Sequence, residues 1–158
     1  MHLGGTVGRK IIATNRKARH EYHILDTYEA GLVLVGTEVK ALREGRVTLG
    51  DGYARFNGEG LYLLSVHVGT YSHTGHGGHE TLRDRKLLLN RRELAKLRKA
   101  SVIKGQTLIP LSVYFKNGWA KVELAVCRGK QQHDKRRTIA ERENKRQLDR
   151  VKKQMLRA

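Results

Sequence analysis

The sequence predicts a mainly β fold with small flanking helices and a basic C-terminal tail. Two Asn-Gly pairs, at 57–58 and 117–118, stand between apolar runs, a pattern typical of β-hairpins. The 158 residues correspond to about one domain at ~150 residues per domain. Residues 128–158 hold 12 of the 32 Lys and Arg but only 4 acidic residues. We therefore expect one folded domain over 1–130 and a separate tail over 131–158.

The predicted strands begin with one at 22–25, followed by a turn at 29–31 and a short buried strand at 32–35. Residues 52–56 and 61–66 are predicted to pair through a type I′ turn at Asn57-Gly58, because both central residues accept positive φ.

The second Asn-Gly turn predicts a hairpin of residues 107–115 and 119–126. In its second strand Val122, Leu124 and Val126 alternate with the residues between them, as expected for a strand with one solvent-exposed face.

Two helices are predicted between the strands. Residues 37–44 lie between Gly36 and Gly45, and 90–104 begins with Asn90 as a cap and Glu93 three residues later. The apolar stripe of the second helix is Leu94, Leu97 and Val102. Short antiparallel strands with small helices indicate a five- or six-stranded barrel, and an OB-like barrel is one candidate among several β folds.

The tail has no aromatic residue and few large apolar residues. It cannot bury enough apolar surface to offset its conformational entropy. We therefore expect residues 131–158 to be disordered in the free protein and to become helical only on a binding partner.

The formal charge of +17 points to a polyanionic partner. One cysteine, Cys127, excludes a disulfide framework, and the longest apolar runs are too short to span a bilayer. The N-terminal residues contain no apolar run typical of a secretory signal. We expect a soluble, cytoplasmic protein with no membrane association.

No catalytic motif stands out. The acidic residues are scattered, and neither a phosphate-binding Gly-rich loop nor Gly-x-Ser-x-Gly occurs. Cys127 reads as a half-buried small residue. An enzyme would need a spatial cluster such as Glu21, Asp26 and His20, for which the sequence offers only proximity.

Three histidines, His73, His76 and His79, recur at three-residue spacing in a Gly-rich segment. Such spacing suits zinc, nickel or copper, but a polar loop is the favoured interpretation. We expect no metal and no cofactor.

Basic residues cluster at 15–20, at 83–86 and along 91–99. Any one cluster alone indicates a solvated surface, but together with the overall charge they predict phosphate binding. The aromatic side chains could stack on bases, although we expect most of them in the core; they are Tyr22, Tyr28, Tyr53, Tyr62, Tyr71 and Trp119.

Several sequence blocks in order resemble the small protein B (SmpB) family, the tmRNA-binding proteins of bacterial trans-translation. They are Asn-Arg-Lys-Ala-Arg-His-Glu-Tyr at 15–22, Tyr-Glu-Ala-Gly at 28–31, 36–40 with 42–43, 85–93, 114–118 followed by 122–124, and Gly-Lys-Gln-Gln-His-Asp-Lys-Arg at 129–136. The sequence departs from the family pattern at Thr81, where proline is expected, and in the Gly/His-rich segment 71–79.

The resemblance implies an OB-like antiparallel β-barrel that binds the tRNA-like domain of tmRNA and delivers it to stalled ribosomes. The tail would probe the empty mRNA channel of the small subunit near the decoding centre. The protein would act as a monomer and not as an enzyme.

Residues that match family positions linked to tmRNA binding are Asn15, Glu29, Leu88, Asn90 and Gly129. The basic clusters add Arg16, Lys17, Arg19, His20, Arg85, Lys86 and Lys130 as RNA-binding candidates. Tail positions matching those linked to ribosome function are His133, Asp134, Lys135 and Arg136.

Some alternatives remain open. Asn90 suits a helix cap or a nucleotide contact equally. Glu29 would either accept a bond from a base or 2′-OH or orient a basic neighbour. The classes that compete with an RNA-binding adaptor are a structural ribosomal protein and a small RNA-processing enzyme. Composition does not distinguish the adaptor from a structural ribosomal protein.

Overall fold

The fold is known from a computed structural model, which describes residues 8–70 and 78–157, apart from the side chains of residues 132–134. The strands are β1 (Arg9–Thr14), β2 (Tyr22–Leu32), β3 (Val47–Thr48), β4 (Tyr53–Asn57), β5 (Gly60–Leu64), β6 (His67–Val68), β7 (Arg85–Leu88), β8 (Gln106–Lys116) and β9 (Trp119–Gly129). The helices are α1 (Arg16–Glu21), α2 (Gly36–Arg43), α3 (Arg91–Ser101) and α4 (Gln132–Arg157).

The main sheet is antiparallel, and its pairings return to their starting strand. They run β8–β4–β5–β7–β2–β9, and β9 pairs again with β8. β1 adds to the far half of β8, and β3 pairs with β6 in a small second sheet. The mainly β prediction with small helices is confirmed. Because alternate residues of a strand face opposite sides, this sheet has an inner face and an outer face.

The inner face holds the hydrophobic core. Ala30 of β2, Val122 and Leu124 of β9 and Leu87 of β7 are all buried there, and Leu97 of α3 packs against them. A second, smaller cluster lies on the outer side of the sheet under α1, formed by Ala18, Ile109, Leu111, Ala125 and Cys127.

The two Asn-Gly pairs behave differently. Asn117 and Gly118 have φ of 52° and 81°, and Lys116 pairs with Trp119, so this turn is the predicted two-residue turn with positive φ at both positions. The prediction for Asn57-Gly58 was wrong. Asn57 belongs to β4 and pairs with Gly60, which leaves Gly58 and Glu59 as the loop with only Gly58 at positive φ.

The predicted turn at 29–31 was also wrong. These residues continue β2, where Glu29 pairs with Glu123 and Gly31 with Lys121 of β9. The buried strand predicted at 32–35 ends after its first residue, and Val33 and Val35 are exposed. Long-range pairing with β9 outweighs the local turn preference of Glu-Ala-Gly, because each paired residue gains ladder hydrogen bonds.

Both predicted helices form, each shorter than or shifted from its expected range. Asn90 Oδ1 accepts a hydrogen bond from the Glu93 backbone N–H at 2.9 Å, which is the expected cap. Val102 is the C-cap residue and is 81% exposed, so its place in the apolar stripe was wrong. The alternation predicted in β9 fails at Ala125, which is buried beneath α1.

A buried ion pair joins α2 to the start of β7. The Glu38 carboxylate and the Arg85 guanidinium are both fully buried and form a direct salt bridge. Arg83 donates to the same carboxylate at 2.5 Å, and so does the Val35 backbone N–H at 2.9 Å. Arg85 also donates to the Val66 carbonyl at 2.9 Å. Burial tends to raise the pKa of Glu38, but these donors outweigh it and hold the pKa below its usual value.

The tail forms α4, a helix of 26 residues with almost all of its described side chains exposed. At 1.5 Å per residue its length is about 39 Å. It contacts α1. No helix within 8–70 and 78–157 is apolar enough to cross a membrane. The domain boundary at 130 and the folding of the tail only on a partner stay predictions.

Candidate nucleic-acid interface

Four neighbouring strands, β7, β2, β9 and β8, present a mostly polar surface that we call the outer face. It is formed by the outward residues of these strands: Lys86, Leu88, Glu29, Gly31, Lys121, Glu123, Ser112, Tyr114 and Lys116. Their alternation with buried residues follows from the two-residue period of a strand. The outer face therefore brings residues from four distant segments together.

Glu29 lies at the centre of this face and is held by two neighbours. Tyr114 donates its hydroxyl to Glu29 Oε2 at 2.5 Å, and Lys116 Nζ lies 3.4 Å from both carboxylate oxygens. The hydrogen bond from Tyr114 lowers the pKa of Glu29, with smaller contributions from Lys116 and Lys121, against the opposing effect of burial. Glu29 is thus ionised at neutral pH, and the orientation of a basic neighbour is the alternative that the geometry supports.

Tyr114 is almost completely buried and links the carboxylate to the next strand. The Arg9 guanidinium lies over its ring at 3.8 Å and pairs with Glu123 at 3.8 Å. Burial, together with the Glu29 carboxylate, raises the pKa of Tyr114, so its hydroxyl remains a donor. The network fixes the positions of charges along the outer face.

The predicted site residues of β7 divide between its two faces. Lys86 and Leu88 point outward, and Leu88 is 54% exposed. Arg85 points inward and is fully buried with Glu38, so its guanidinium is used by the fold, and its predicted role in RNA binding stays a prediction. The side chain of Asn90 caps α3, although the residue itself is exposed.

A second basic surface surrounds α1. Arg16, Lys17 and Arg19 are exposed and His20 is half-buried. Asn15 is buried: its amide accepts from the Ala18 backbone N–H at 3.1 Å and donates to the Pro110 carbonyl at 3.0 Å. These two bonds hold α1 on β8, and the predicted link of Asn15 to tmRNA binding stays a prediction.

Lys130 connects this surface to the tail. Its Nζ donates to the Arg19 carbonyl at 3.1 Å, near the end of α1, and to Thr138 Oγ1 of α4 at 2.8 Å. Its backbone N–H donates to the Glu21 carbonyl at 2.8 Å. Gly129, which precedes it, is exposed, and a Cβ there would meet open space. Lys130 therefore fixes the start of the tail beside the basic helix.

The tail candidates lie in the first turns of α4. Lys135 is half-buried and Arg136 is exposed, while the side chains of His133 and Asp134 fall outside the described residues. Arg137 pairs with Glu141 at 3.3 Å within the helix.

The candidates for other chemistry have local roles. His79 Nδ1 lies 2.8 Å from Thr37 Oγ1 and its Nε2 lies 3.0 Å from the Val68 carbonyl; His73 and His76 lie outside the described residues. Within the described part of the chain, no group of three His, Cys, Asp or Glu is placed to hold a metal ion. Cys127 is fully buried rather than half-buried, and burial raises the pKa of its thiol to about 11.

Sequence reasoning missed the β8–β9 contribution to the outer face: Tyr114, Lys116, Trp119 and Lys121. The alternation of these strands places Tyr114 with Lys116 and Lys121 with Glu123. The alternation within β8 and β9 does not predict that β9 pairs with β2, which lies about 95 residues earlier in the chain. Trp119 is one of the six aromatic residues named as possible stacking surfaces, most of which were expected in the core, and it is 73% exposed.

A small β protein with three lysines on its outer face, a second basic surface and an exposed basic helix has the features of a nucleic-acid-binding protein, because clustered Lys and Arg pair with phosphates. Comparison with known proteins agrees with this class. The family model described as "SmpB protein" matches residues 12–154. The chain belongs to the SmpB family.

Curated relatives extend the match over most of their length. An SsrA-binding protein of Anaeromyxobacter sp. (strain Fw109-5) is 53% identical over 146 residues, which cover 92% of this chain and 88% of that protein. An SsrA-binding protein of Streptomyces coelicolor is 53% identical over 144 residues, 91% of each. A chain from a solved structure described as "tmRNA-SmpB: a journey to the center of the bacterial ribosome" has a TM-score of 0.65 and 45% identity, covering 76% of this chain and 85% of that one.

Proposed function

We propose that this protein is a non-enzymatic adaptor that binds the tRNA-like domain of tmRNA and delivers it to stalled ribosomes in the cytoplasm. The observation that carries the proposal is the outer face, which gathers Glu29, Leu88 and Lys86 beside Lys116 and Lys121. The names of the relatives, SsrA-binding protein, support the same ligand.

The scaffold for this face is proposed to be an OB-like barrel. Support comes from the closed circuit of pairings in which β9 returns to β8. A closed sheet has fewer free edges, and it holds outward side chains at fixed spacings. Rigid spacing suits the recognition of a folded RNA by its shape and backbone.

In this proposal the outer face and the α1 surface carry tmRNA affinity. Lys86, Lys116 and Lys121 would pair with phosphates on one side, and Arg16, Lys17 and Arg19 on the other. Asn15 and Arg85 would contribute indirectly, by holding α1 and β7 in place.

The tail is proposed to enter the empty mRNA channel of the small ribosomal subunit near the decoding centre. Its excess of basic residues would be neutralised by ribosomal RNA, which removes the self-repulsion that opposes folding. A helix with almost no packing is marginal in water, so residues 131–158 would gain most of their helix on the ribosome. His133, Asp134, Lys135 and Arg136 would hold the first turns there.

Truncation tests the division of labour. A chain ending at Lys130 should bind the tRNA-like domain of tmRNA within about threefold of the full chain, yet should fail to support peptide tagging on stalled ribosomes. The triple change of Asp134, Lys135 and Arg136 to Ala should do the same while leaving the tail in place. Loss of tmRNA binding on truncation would contradict the proposal.

Salt dependence tests the electrostatic part. If six or more phosphates are contacted, the affinity should fall by about 10³-fold between 50 and 200 mM salt. A flat response would mean that the cations of the outer face and the α1 surface do not contact phosphates.

A further inference from the structure

A small cationic pocket lies between β1, β8 and α1. Its volume is about 320 Å³, at the small end of the range for small-molecule sites, ~300–1,000 Å³. Three arginines line it, Arg9 from β1 and Arg16 and Arg19 from α1. Of the described residues that line this pocket, only Glu123 is acidic. The lining therefore carries three positive charges and one negative charge.

The position of α1 beside the pocket is fixed by Asn15. Its buried side chain donates to the Pro110 carbonyl at 3.0 Å, and its backbone N–H donates to the Leu111 carbonyl at 2.7 Å. Arg16 and Arg19 are three residues apart, so they share one side of the helix, and both are exposed. The backbone of α1 is thus held on β8 while the two guanidinium groups stay in contact with solvent.

Arg9 is held in place without using the hydrogen-bond donors at the end of its side chain. Its guanidinium lies over the Tyr114 ring at 3.8 Å. Its nearest approach to the Glu123 carboxylate is also 3.8 Å, which is longer than a hydrogen bond. Ser112 donates its hydroxyl to the same carboxylate at 3.2 Å. Arg9 therefore has donors for an anion and a fixed position, which lowers the entropy lost on binding.

The charge of the pocket distinguishes between kinds of phosphate. Within the described residues, neither Arg16 nor Arg19 has an ion-pair partner for its side chain. Three guanidinium groups less the one carboxylate of Glu123 leave the lining at +2. A phosphomonoester carries about −1.5 to −2 at pH 7, whereas each phosphodiester of an RNA backbone carries a single negative charge. Guanidinium groups also match phosphate oxygens in geometry, because they donate two parallel hydrogen bonds.

We propose that this pocket binds a phosphomonoester, with Arg9, Arg16 and Arg19 donating to the phosphate oxygens. The inference goes beyond the proposed function, because binding of a phosphomonoester requires no tmRNA. A free nucleotide and the 5′-phosphate end of an RNA both present this group, and the experiments below distinguish these two sources.

Isothermal titration calorimetry of the full chain at low salt tests the preference for a doubly charged phosphate. The probes are adenosine 5′-monophosphate and 3′,5′-cyclic adenosine monophosphate, which share a base and a ribose. The first carries a phosphomonoester, and the second carries a singly charged diester. The monophosphate should bind about fivefold more tightly, the upper value for one further exposed ion pair. Equal affinities for the two probes would overturn the proposal.

A pair of double variants tests the location of the site. Arg16→Gln with Arg19→Gln should weaken binding of adenosine 5′-monophosphate by about 2- to 25-fold, the product of two exposed ion pairs at about 1.4- to fivefold each. Lys10→Gln with Lys17→Gln is the matched control. It makes the same change in net charge on β1 and α1, but neither lysine lines the pocket, so it should bind nearly as the unchanged chain does.

All four substituted side chains are exposed, so both double variants should unfold at the same urea concentration as the unchanged chain. If the control variant loses as much affinity for the monophosphate as the arginine variant, the binding reflects the overall charge of the chain and the proposal fails. It fails equally if the arginine variant keeps the affinity of the unchanged chain.

One RNA oligonucleotide prepared with a 5′-phosphate and with a 5′-hydroxyl identifies the source of the group. Tighter binding of the phosphorylated form, lost in the arginine variant, would support the site and assign it to an RNA end. Equal binding of the two forms, with adenosine 5′-monophosphate still preferred over its cyclic form, would support the site and assign it to a free nucleotide. A chain that binds neither the monophosphate nor the 5′-phosphate preferentially would overturn the inference and leave the proposed tmRNA function untouched, since that function is measured on a different ligand.

Discussion

Replacement of Glu29 and Lys116, singly and together, tests how an acidic residue contributes to an RNA-binding face. The carboxylate is held by Tyr114 at 2.5 Å and lies 3.4 Å from Lys116 Nζ. We expect Glu29 to act as a positioning residue that orients the Lys116 ammonium toward a phosphate. Glu29→Gln keeps an acceptor for the Tyr114 hydroxyl but removes the charge that attracts Lys116.

The expected loss of RNA affinity follows from how exposed the Glu29–Lys116 pair is. Both side chains are somewhat more than a third exposed, 37% for Glu29 and 36% for Lys116, so solvent screens them and their interaction is worth about 0.2–1 kcal/mol. Loss of the oriented cation should therefore weaken RNA binding by about 1.4- to fivefold. Lys116→Met should weaken binding by about fivefold and lower the salt slope by about 0.7–0.9, the value for one phosphate contact.

The assay is the Kd for the tRNA-like domain of tmRNA, measured over a salt series for the two single variants and the double variant. If Glu29 acts through Lys116, the double variant should equal Lys116→Met alone, since the effects are coupled. Glu59→Gln is a matched control, because it makes the same change in net charge in the β4–β5 loop. If the fold-changes in Kd of the two single variants multiply in the double variant, and Glu29→Gln leaves the salt dependence of Kd unchanged, Glu29 contacts RNA directly. If Glu29→Gln binds RNA more tightly than the unchanged chain, the charge of Glu29 only repels RNA.

Three further results are expected. Glu38→Gln should lower the free energy of unfolding by about 3–5 kcal/mol, because it leaves the Arg85 charge buried without its partner, as measured by urea denaturation. The pKa of Glu38 is lowered in the folded state, so its contribution to stability is present above the unfolded pKa of about 4.3 and should be lost as pH falls through the folded pKa. If the free energy of unfolding of Glu38→Gln changes with pH from 7 to 3 in the same way as that of the unchanged chain, this reasoning is refuted. Gly118→Val should destabilise the β8–β9 hairpin by about 1–2 kcal/mol, because its φ of 81° suits glycine, whereas a neutral result would remove the strain argument. Far-UV circular dichroism and amide exchange should show residues 131–157 largely unprotected in the free protein, and slow exchange there would mean that the tail docks as a preformed helix.

The hairpin of β8 and β9 shows how much local sequence specifies. The period-2 pattern, the two long strands and the Asn117-Gly118 turn are all short-range features, so they could be predicted without the fold. The same holds for the Asn90 cap, whose donor lies three residues away. The excess charge and the sequence blocks shared with the SmpB family likewise require only the sequence.

Glu29 shows what local sequence leaves open. The residue types of Glu-Ala-Gly at 29–31 favour a turn. The segment is instead part of β2, because it pairs with β9, which lies about 90 residues later in the chain. The turn at 57–58 fails for a related reason: the register of β4 on β5 pairs Asn57 with Gly60 and moves the loop by one residue. The register of a strand pair depends on which side chains are buried in the core. Which side chains are buried depends on the strands that pair with the segment, and the local sequence does not identify those strands.

The sequence by itself determined that this is a basic, mainly β, nucleic-acid-binding chain with a tail, because charge, strand period and turn residues are properties of short segments. Only the tertiary structure decided which charges are available for binding. Arg85 and Lys86 are adjacent and chemically alike, but the two-residue period of β7 turns Arg85 to Glu38 in the interior and Lys86 to the solvent. Glu29, Tyr114 and Lys116 meet only because three strands pair side by side, and the distance between segments along the chain hides that meeting from any local pattern.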